Sequence, residues 1–181
     1  MKRILIIFSL VFTFLVTFSP MSFAAKGNGT GKVWQFPRSI KTYIQPNHKR
    51  TQMMRHAFAE WTRKTNGKIL FKYVSSKKTA DIDVQFVNSI PNADREIGLT
   101  KSSFSKSNRL YHATIYIAEK TAAGKQLNND AVYTVMLHEI GHAIGISEHS
   151  NDPMSIMFPY EDDRQEILKG DLKDLSEIYG W

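Results

Sequence analysis

The 181-residue sequence predicts a single α+β domain with a sheet of about five strands and three helices. Three observations predict this class. Short segments in which apolar and polar residues alternate recur along the chain, as in half-buried strands. Two other segments carry apolar residues three and four positions apart, as in helices with one buried face. The length and the 42% apolar content suit one hydrophobic core.

The first 24 residues are typical of a secretory signal peptide. Two basic residues precede an almost unbroken apolar run, and Ser22 and Ala24 are small residues at the two positions that a signal peptidase reads. The run is shorter than the roughly 20 apolar residues that a membrane-spanning helix needs, and it ends at Pro20. We therefore expect export, cleavage after Ala24, and a mature chain of residues 25–181 that is not held in the membrane.

Composition and charge exclude several classes of protein. The chain has no cysteine, which excludes disulfides, a thiolate nucleophile and iron–sulfur clusters, so any metal must be held by His, Asp or Glu. The net charge is +7, although the last 34 residues carry only 3 basic residues against 9 acidic ones. No interleaving of arginine with aromatic residues indicates a nucleic-acid surface. We expect a monomer that binds no nucleic acid.

Four strands and one helix are predicted in the first part of the mature chain. The strands are short alternating segments at residues 40–45, 69–73, 82–86 and 113–118. A helix is predicted at residues 50–65, and it should pack on the sheet. Its apolar positions recur with helical spacing at Met54, Ala57, Phe58 and Trp61. The polar segment at residues 90–108 is predicted to be a loop.

Two more helices are predicted in the last third of the chain. Residues 128–130 have side chains that cap helix N-termini, so a long helix is expected to begin near Ala131. A C-terminal helix is predicted to end at Gly180. Its apolar stripe consists of Leu168, Leu172, Leu175 and Tyr179.

Asp81 and Asp83 lie beside the third predicted strand and offer oxygen atoms that suit calcium. Acidic residues next to strands are usually solvent-exposed, so the sequence does not indicate Ca²⁺ there. The remaining histidines outside the segment described next lack the spacing of metal ligands and are predicted to have no ligand role. These are His48, His56 and His112.

The segment at residues 138–149 is the most informative about function. His138 and His142 lie one turn apart on the predicted helix, so their imidazoles can point at one metal ion. Glu139 lies beside them, where its carboxylate can accept a proton from a water held by the metal. Gly145 permits the positive φ that ends a helix and turns the chain back toward a third ligand. The spacing indicates a zinc site with Glu139 as its general base.

This segment resembles the zinc signature of the metzincin metallopeptidases, and of the matrixin family in particular, in which His-Glu-x-x-His-x-x-Gly-x-x-His precedes a Met-containing turn. The third ligand position of that signature falls on Glu148, and the histidine comes one residue later, at His149. We favour His149 because the residues after it also resemble matrixins, and Glu148 stays the alternative. Met157 matches the methionine of the turn, and Asp171 matches an acid that ties the last helix to it.

The resemblance covers most of the mature chain and implies the three-layer metzincin fold, with a twisted mixed sheet, an active-site helix, a backing helix and a C-terminal helix. It implies that residues 98–104 form an edge strand, to which an extended substrate adds as a further strand. The activity it implies is that of a secreted zinc endopeptidase with one catalytic Zn²⁺. In that activity Glu139 activates the zinc-bound water to hydrolyse internal bonds of a protein or peptide substrate.

Two other interpretations stay open. A thermolysin-like site would take its third ligand from a distant glutamate such as Glu161 or Glu166, although the nearby His149 disfavours it. A secreted zinc-stabilised binding or adhesion module would hold the metal without turnover, although the intact Glu139 disfavours that.

Overall fold

The structure of the protein is a computed structural model that describes residues 32–90, 96–121, 123–160 and 166–181. The predicted signal peptide at residues 1–24 lies outside the described residues. Within those ranges, no helix has both the length and the apolar character that crossing a bilayer requires.

The part of the chain that the structure describes contains six strands, three α-helices and one short 3-10 helix at Lys77–Thr79. The strands are β1 (Val33–Trp34), β2 (Ile40–Ile44), β3 (Phe71–Tyr73), β4 (Ile82–Val87), β5 (Gly98–Phe104) and β6 (Arg109–Ala118). The helices are α1 (Thr51–Lys64), α2 (Asn129–Ala143) and α3 (Lys169–Tyr179). The predicted α+β class, with a mixed sheet and three helices, is confirmed.

The sheet is parallel except at one edge. Its order is β1-β6-β4-β2-β3, and β5 pairs with β6 as an antiparallel strand. In register, Ile82 of β4 and Ser102 of β5 both lie opposite Ala113 of β6. The prediction of a loop across residues 90–108 is therefore wrong for residues 98–104, where the family resemblance implies an edge strand. Neither face of β5 is fully buried, so its sequence can stay polar and lacks the alternation that predicts a strand.

Helix α1 buries the apolar stripe that its spacing predicts. Met54, Ala57, Phe58 and Trp61 are all inaccessible to solvent, and burying a large apolar side chain stabilises the fold by about 1.5–3 kcal/mol. The indole Nε1 of Trp61 donates to the carbonyl oxygen of Leu137 at 2.9 Å, which fixes α1 against α2. Helix α2 in turn packs on β5 and β6, so it lies between α1 and the edge of the sheet.

Two aromatic side chains hold the end of helix α2. The last carbonyls of a helix have no partner within the helix. Here Trp34 Nε1 donates to the carbonyl oxygen of Ala143 at 2.9 Å, and the hydroxyl of Tyr179 donates to that of Ile144 at 2.8 Å. These bonds fix the point at which the chain leaves the helix.

Asp83 is buried, so the expectation that it is solvent-exposed is wrong. Its Oδ2 lies 2.8 Å from the ammonium of Lys77 and accepts a hydrogen bond from Gln85 Nε2 at 2.8 Å. A nearby cation and donor offset the cost of removing a carboxylate from water. Asp81 is half-buried, and its Oδ2 accepts from the backbone N–H of Lys41 at 2.8 Å.

Candidate active site

Helix α2 brings two histidines to one point. The side chain of Asn128 caps the helix by accepting from the backbone N–H of Ala131 at 2.7 Å, as its residue type predicts. His138 and His142 then follow one turn apart on the same face. Their Nε2 atoms are 3.0 Å apart, so both rings present the same nitrogen to the same place.

Backbone carbonyls determine the tautomer of these two rings. Nδ1 of His138 donates to the carbonyl oxygen of Ile156 at 2.8 Å, and Nδ1 of His142 donates to that of Ile146 at 2.6 Å. Because a carbonyl only accepts, the ring proton lies on Nδ1 and each neutral ring presents a lone pair at Nε2. Burial, followed by repulsion from His142 when that ring is protonated, lowers the pKa of His138 to about 4. Burial also lowers the pKa of His142.

A turn at Gly145 brings the third histidine back to the same point. Gly145 has a φ of +121°, a region that side chains rarely adopt, and a Cβ there would collide with the carbonyl oxygen of Lys32. After the turn, Nε2 of His149 lies 3.2 Å from Nε2 of His142. His149 is exposed, unlike the two half-buried histidines of the helix.

The three histidines fit a zinc ion. Their ligand atoms lie within 4.8 Å of one another, and no other group of three or more candidate ligands occurs among the described residues. Two lone pairs that face each other at about 3 Å repel unless a cation lies between them. Tetrahedral zinc with Zn–N bonds of about 2.0–2.1 Å places its ligand nitrogens roughly 3.3 Å apart, close to the spacing found here.

Neither of the alternative ligands that the structure describes belongs to this group. Glu148 and Glu166 are exposed and do not belong to it, and Glu161 lies outside the described residues. Of the histidines predicted to have no ligand role, His48 contacts Glu119 at 3.2 Å, and His112 contacts Thr114 at 3.2 Å.

Glu139 is almost entirely buried beside the histidines, with 5% of its surface exposed. Burial raises the pKa of its carboxyl to about 7, and a hydrogen bond from Thr100 acts in the opposite direction. Oγ1 of Thr100 lies 2.6 Å from Oε2 of Glu139. A carboxyl with a pKa near neutrality can both accept and release a proton under physiological conditions.

Met157 forms the floor under this part of helix α2. It is buried, and its sulfur contacts Gly141 so closely that a Cβ at that glycine would collide with it. Its carbonyl oxygen accepts from the backbone N–H of Ser150 at 2.9 Å, which closes the loop that carries His149. The turn thus supports the helix between His138 and His142.

Asp171 ties the start of helix α3 to this turn. Its Oδ2 accepts from the backbone N–H of Leu168 at 2.8 Å, as at a capped helix start, and its Oδ1 accepts from the hydroxyl of Ser155 at 2.5 Å. The same Ser155 oxygen accepts from the backbone N–H of Met157 at 3.0 Å. A buried chain of hydrogen bonds therefore runs from α3 to the residue beneath the helix.

A cleft of about 840 Å³ runs past the three histidines and Glu139. Strand β5 forms one wall, and the segment at residues 155–160 lines the cleft beside helix α2. Within the described residues, β6 is the only strand that pairs with β5, so the other edge of β5 borders the cleft.

The model of the matrixin peptidase family matches residues 33–180. The chain belongs to the matrixin family. This confirms the prediction made from the zinc signature, and it confirms the predicted enzyme class, a zinc metallopeptidase, at the level of the family.

Curated relatives of this matrixin chain include matrix metalloproteinase-16 from Rattus norvegicus, which is 28% identical over 174 residues that cover 83% of the chain and 28% of the relative. Matrix metalloproteinase-15 from Homo sapiens is 26% identical over 173 residues, covering 83% of the chain and 25% of the relative. The chain thus spans between a quarter and a third of the length of these relatives. Among solved structures, that of myroilysin has a TM-score of 0.48 at 13% identity, covering 82% of this chain and 95% of the other.

Sequence reasoning missed three residues of this matrixin site: Gly98, Thr100 and Gly141. Thr100 and Glu139 are 39 positions apart in the sequence, and they come into hydrogen-bonding contact only because β5 pairs with β6. Gly98 leaves space for the Glu139 side chain, and this contact also exists only in the folded sheet. Gly141 did give a signal, because glycine inside a helix costs about 1 kcal/mol and usually marks a close contact.

Proposed function

We propose that this matrixin is a zinc-dependent endopeptidase that hydrolyses internal peptide bonds of extended protein or peptide substrates. His138, His142 and His149 hold one Zn²⁺, and Glu139 is the general base. The observation that carries this proposal is the convergence of three Nε2 atoms, two of which are fixed as lone-pair donors by backbone carbonyls.

When bound, zinc supplies a Lewis acid that polarises a peptide carbonyl and lowers the pKa of a water molecule to about 7. The chain's own residues do the rest. The carboxylate of Glu139 accepts a proton from the attacking water and returns it to the leaving amine. A carboxyl pKa of about 7 suits both steps, because neither protonation state is strongly disfavoured. The burial of Glu139 keeps bulk water from competing for that proton.

Strand β5 supports the choice of extended substrates. The edge of β5 away from β6 carries backbone N–H and C=O groups that an extended peptide can pair with, as in strand addition to other sheets. The cleft lies beside this edge and leads to the three histidines. A substrate strand laid along β5 therefore passes the metal ligands.

We also propose that the protein is secreted, with residues 1–24 as the signal peptide and residues 25–181 as the catalytic domain. The charged start, the apolar run and the small residues before Ala25 support this. Mass spectrometry of the exported protein tests it. We expect a chain that begins at Ala25, and an exported chain that retains its first residues contradicts it.

The proposed activity is tested by casein cleavage and by metal analysis of the exported protein. We expect one zinc per chain and loss of cleavage on chelation. Glu139→Ala should keep the zinc and lose on the order of 100- to 10,000-fold in rate, as expected for removal of a general base. Full activity of Glu139→Ala contradicts the proposed role of the carboxylate. Zinc binding without any cleavage by the unmodified protein would favour the binding or adhesion module.

A further inference from the structure

Thr100 on strand β5 makes two contacts with Glu139. Its Oγ1 lies 2.6 Å from Oε2 of the carboxylate and 3.0 Å from the backbone carbonyl oxygen of the same residue. A threonine hydroxyl has one proton, which these two acceptors share. Hydrogen bonds to a carboxylate are about twice as strong as those between neutral groups.

Gly98, two positions earlier on the same strand, leaves space for this carboxylate. A Cβ at Gly98 would lie 2.5 Å from Oε1 of Glu139 and 2.8 Å from its Cγ. Real Cβ atoms essentially never approach that closely, so another residue here would displace the Glu139 side chain. Residues 98 and 100 point to the same face of the strand, so one oxygen of the carboxylate lies against Gly98 and the other against Thr100.

The orientation of a catalytic carboxylate depends on such contacts. A glutamate side chain has three rotatable bonds, and fixing all three costs conformational entropy. A misplacement of about 1 Å can cost 100-fold in rate. Helix α2 fixes the backbone of Glu139, and the described hydrogen bond to its carboxylate comes from Thr100 of β5.

We propose that Thr100 is a positioning residue for Glu139, and that Gly98 provides the space in which Thr100 holds the carboxylate toward the cleft. This inference rests on the proposed function, because it assigns a role through the general base. It gives β5 a second task besides pairing with a substrate strand. The neighbouring hydroxyl in the cleft wall, Ser102, is not part of this contact.

The competing explanation is that Thr100 only attaches β5 to α2 through the Glu139 carbonyl. Thr100→Val keeps the shape and removes the hydroxyl, Thr100→Ala removes it without adding bulk, and Thr100→Ser keeps it. Thr114→Val is the matched control, because Thr114 is a half-buried threonine on the neighbouring strand β6 whose hydroxyl contacts His112.

Steady-state kinetics on a peptide substrate and zinc analysis of the exported protein provide the test. We expect Thr100→Val and Thr100→Ala to lower kcat by roughly 10- to 100-fold with KM within about twofold, and with one zinc retained per chain. Thr100→Ser should restore kcat to within about threefold of the unmodified protein, and Thr114→Val should match it. Unchanged kcat in Thr100→Val, or an equal loss in Thr100→Ser, overturns the proposal.

A crystal structure of Thr100→Val gives a readout that does not depend on activity. We expect the Glu139 carboxylate to leave the position it has beside residue 100. A carboxylate in the same place without the hydroxyl overturns the proposal. An unmodified protein that binds zinc and cleaves nothing would instead refute the proposed function, so the two failures are distinguishable.

Discussion

The two histidines of helix α2 and the histidine of the following loop reach one point by different means. The helix sets His138 and His142 by its period, and a carbonyl holds Nδ1 of each ring. His149 is exposed, and among the described residues no partner for its Nδ1 is found. The position of His149 therefore depends on the backbone turn at Gly145 and on the bonds that close the loop.

Two of the three candidate ligands are therefore built into a helix, and the third depends on loop geometry. The loop has three supports: the turn at Gly145, the bond from the Ser150 N–H to the Met157 carbonyl, and the chain of bonds through Ser155 to Asp171. Substitutions in the helix and in each support should therefore affect zinc binding to different extents.

Removing a ligand should have the largest effect. A structural zinc site is worth roughly 10–16 kcal/mol over four ligands, so His142→Ala should weaken zinc binding at least 100- to 1,000-fold. His149→Ala should lose less, because water can replace an exposed ligand. Competition with a chromogenic chelator measures both affinities. Glu148→Ala is the control and should leave the affinity unchanged. Loss of zinc in Glu148→Ala but not in His149→Ala would reverse the assignment of the third ligand.

Gly145→Ala should have the next largest effect. The positive φ and the collision with the Lys32 carbonyl should cost about 1–3 kcal/mol in unfolding free energy, and zinc affinity should fall because His149 is displaced. Gly67→Ala is the matched control, since Gly67 also has a positive φ but has open space around it. Urea denaturation measures the unfolding free energy, and zinc titration measures the zinc affinity. Equal effects on zinc affinity in both variants would mean that the turn does not place His149.

Asp171→Asn should have a moderate effect. It weakens a buried hydrogen bond to Ser155 that involves a charged group, which costs about 1.5–3 kcal/mol in unfolding free energy. Zinc affinity should fall by roughly 10- to 100-fold, because the carbonyl of Ile156 that orients His138 lies in the same turn. Asp174→Asn, an exposed acid on the same helix, should change stability by less than about 0.5 kcal/mol. Equal losses of stability and zinc affinity in Asp171→Asn and Asp174→Asn would show that Asp171 has no special role.

Met157→Leu should have the smallest effect. The two side chains are similar in volume, so stability should fall by less than about 1.5 kcal/mol. Zinc affinity should stay within about threefold, since methionine here supports helix α2 at Gly141 and need not bind the metal. Thermal unfolding and chelator competition measure these quantities. A tenfold loss of zinc affinity would show that the thioether does more than pack against helix α2.

The same contrast explains what the sequence could predict. The part of the candidate site that lies on helix α2 follows a period, so His138, Glu139 and His142 are recognisable from spacing alone. The buried stripe of α1 is predictable for the same reason. A loop has no period, which is why the sequence leaves His149 and Glu148 as alternatives. Thr100 has no local signal, because its contact with Glu139 exists only once β5 has paired with β6.

The carbonyls of Ile146 and Ile156 have one more consequence. They belong to the loop, yet they orient the rings of the helix, so under the proposed function metal occupancy and loop order reinforce each other. Loss of the ion should therefore make this loop less ordered. Less ordered loops are the segments that other peptidases cut most readily. If the protein is exported and binds zinc as proposed, we expect its resistance to other peptidases to depend on the local supply of zinc.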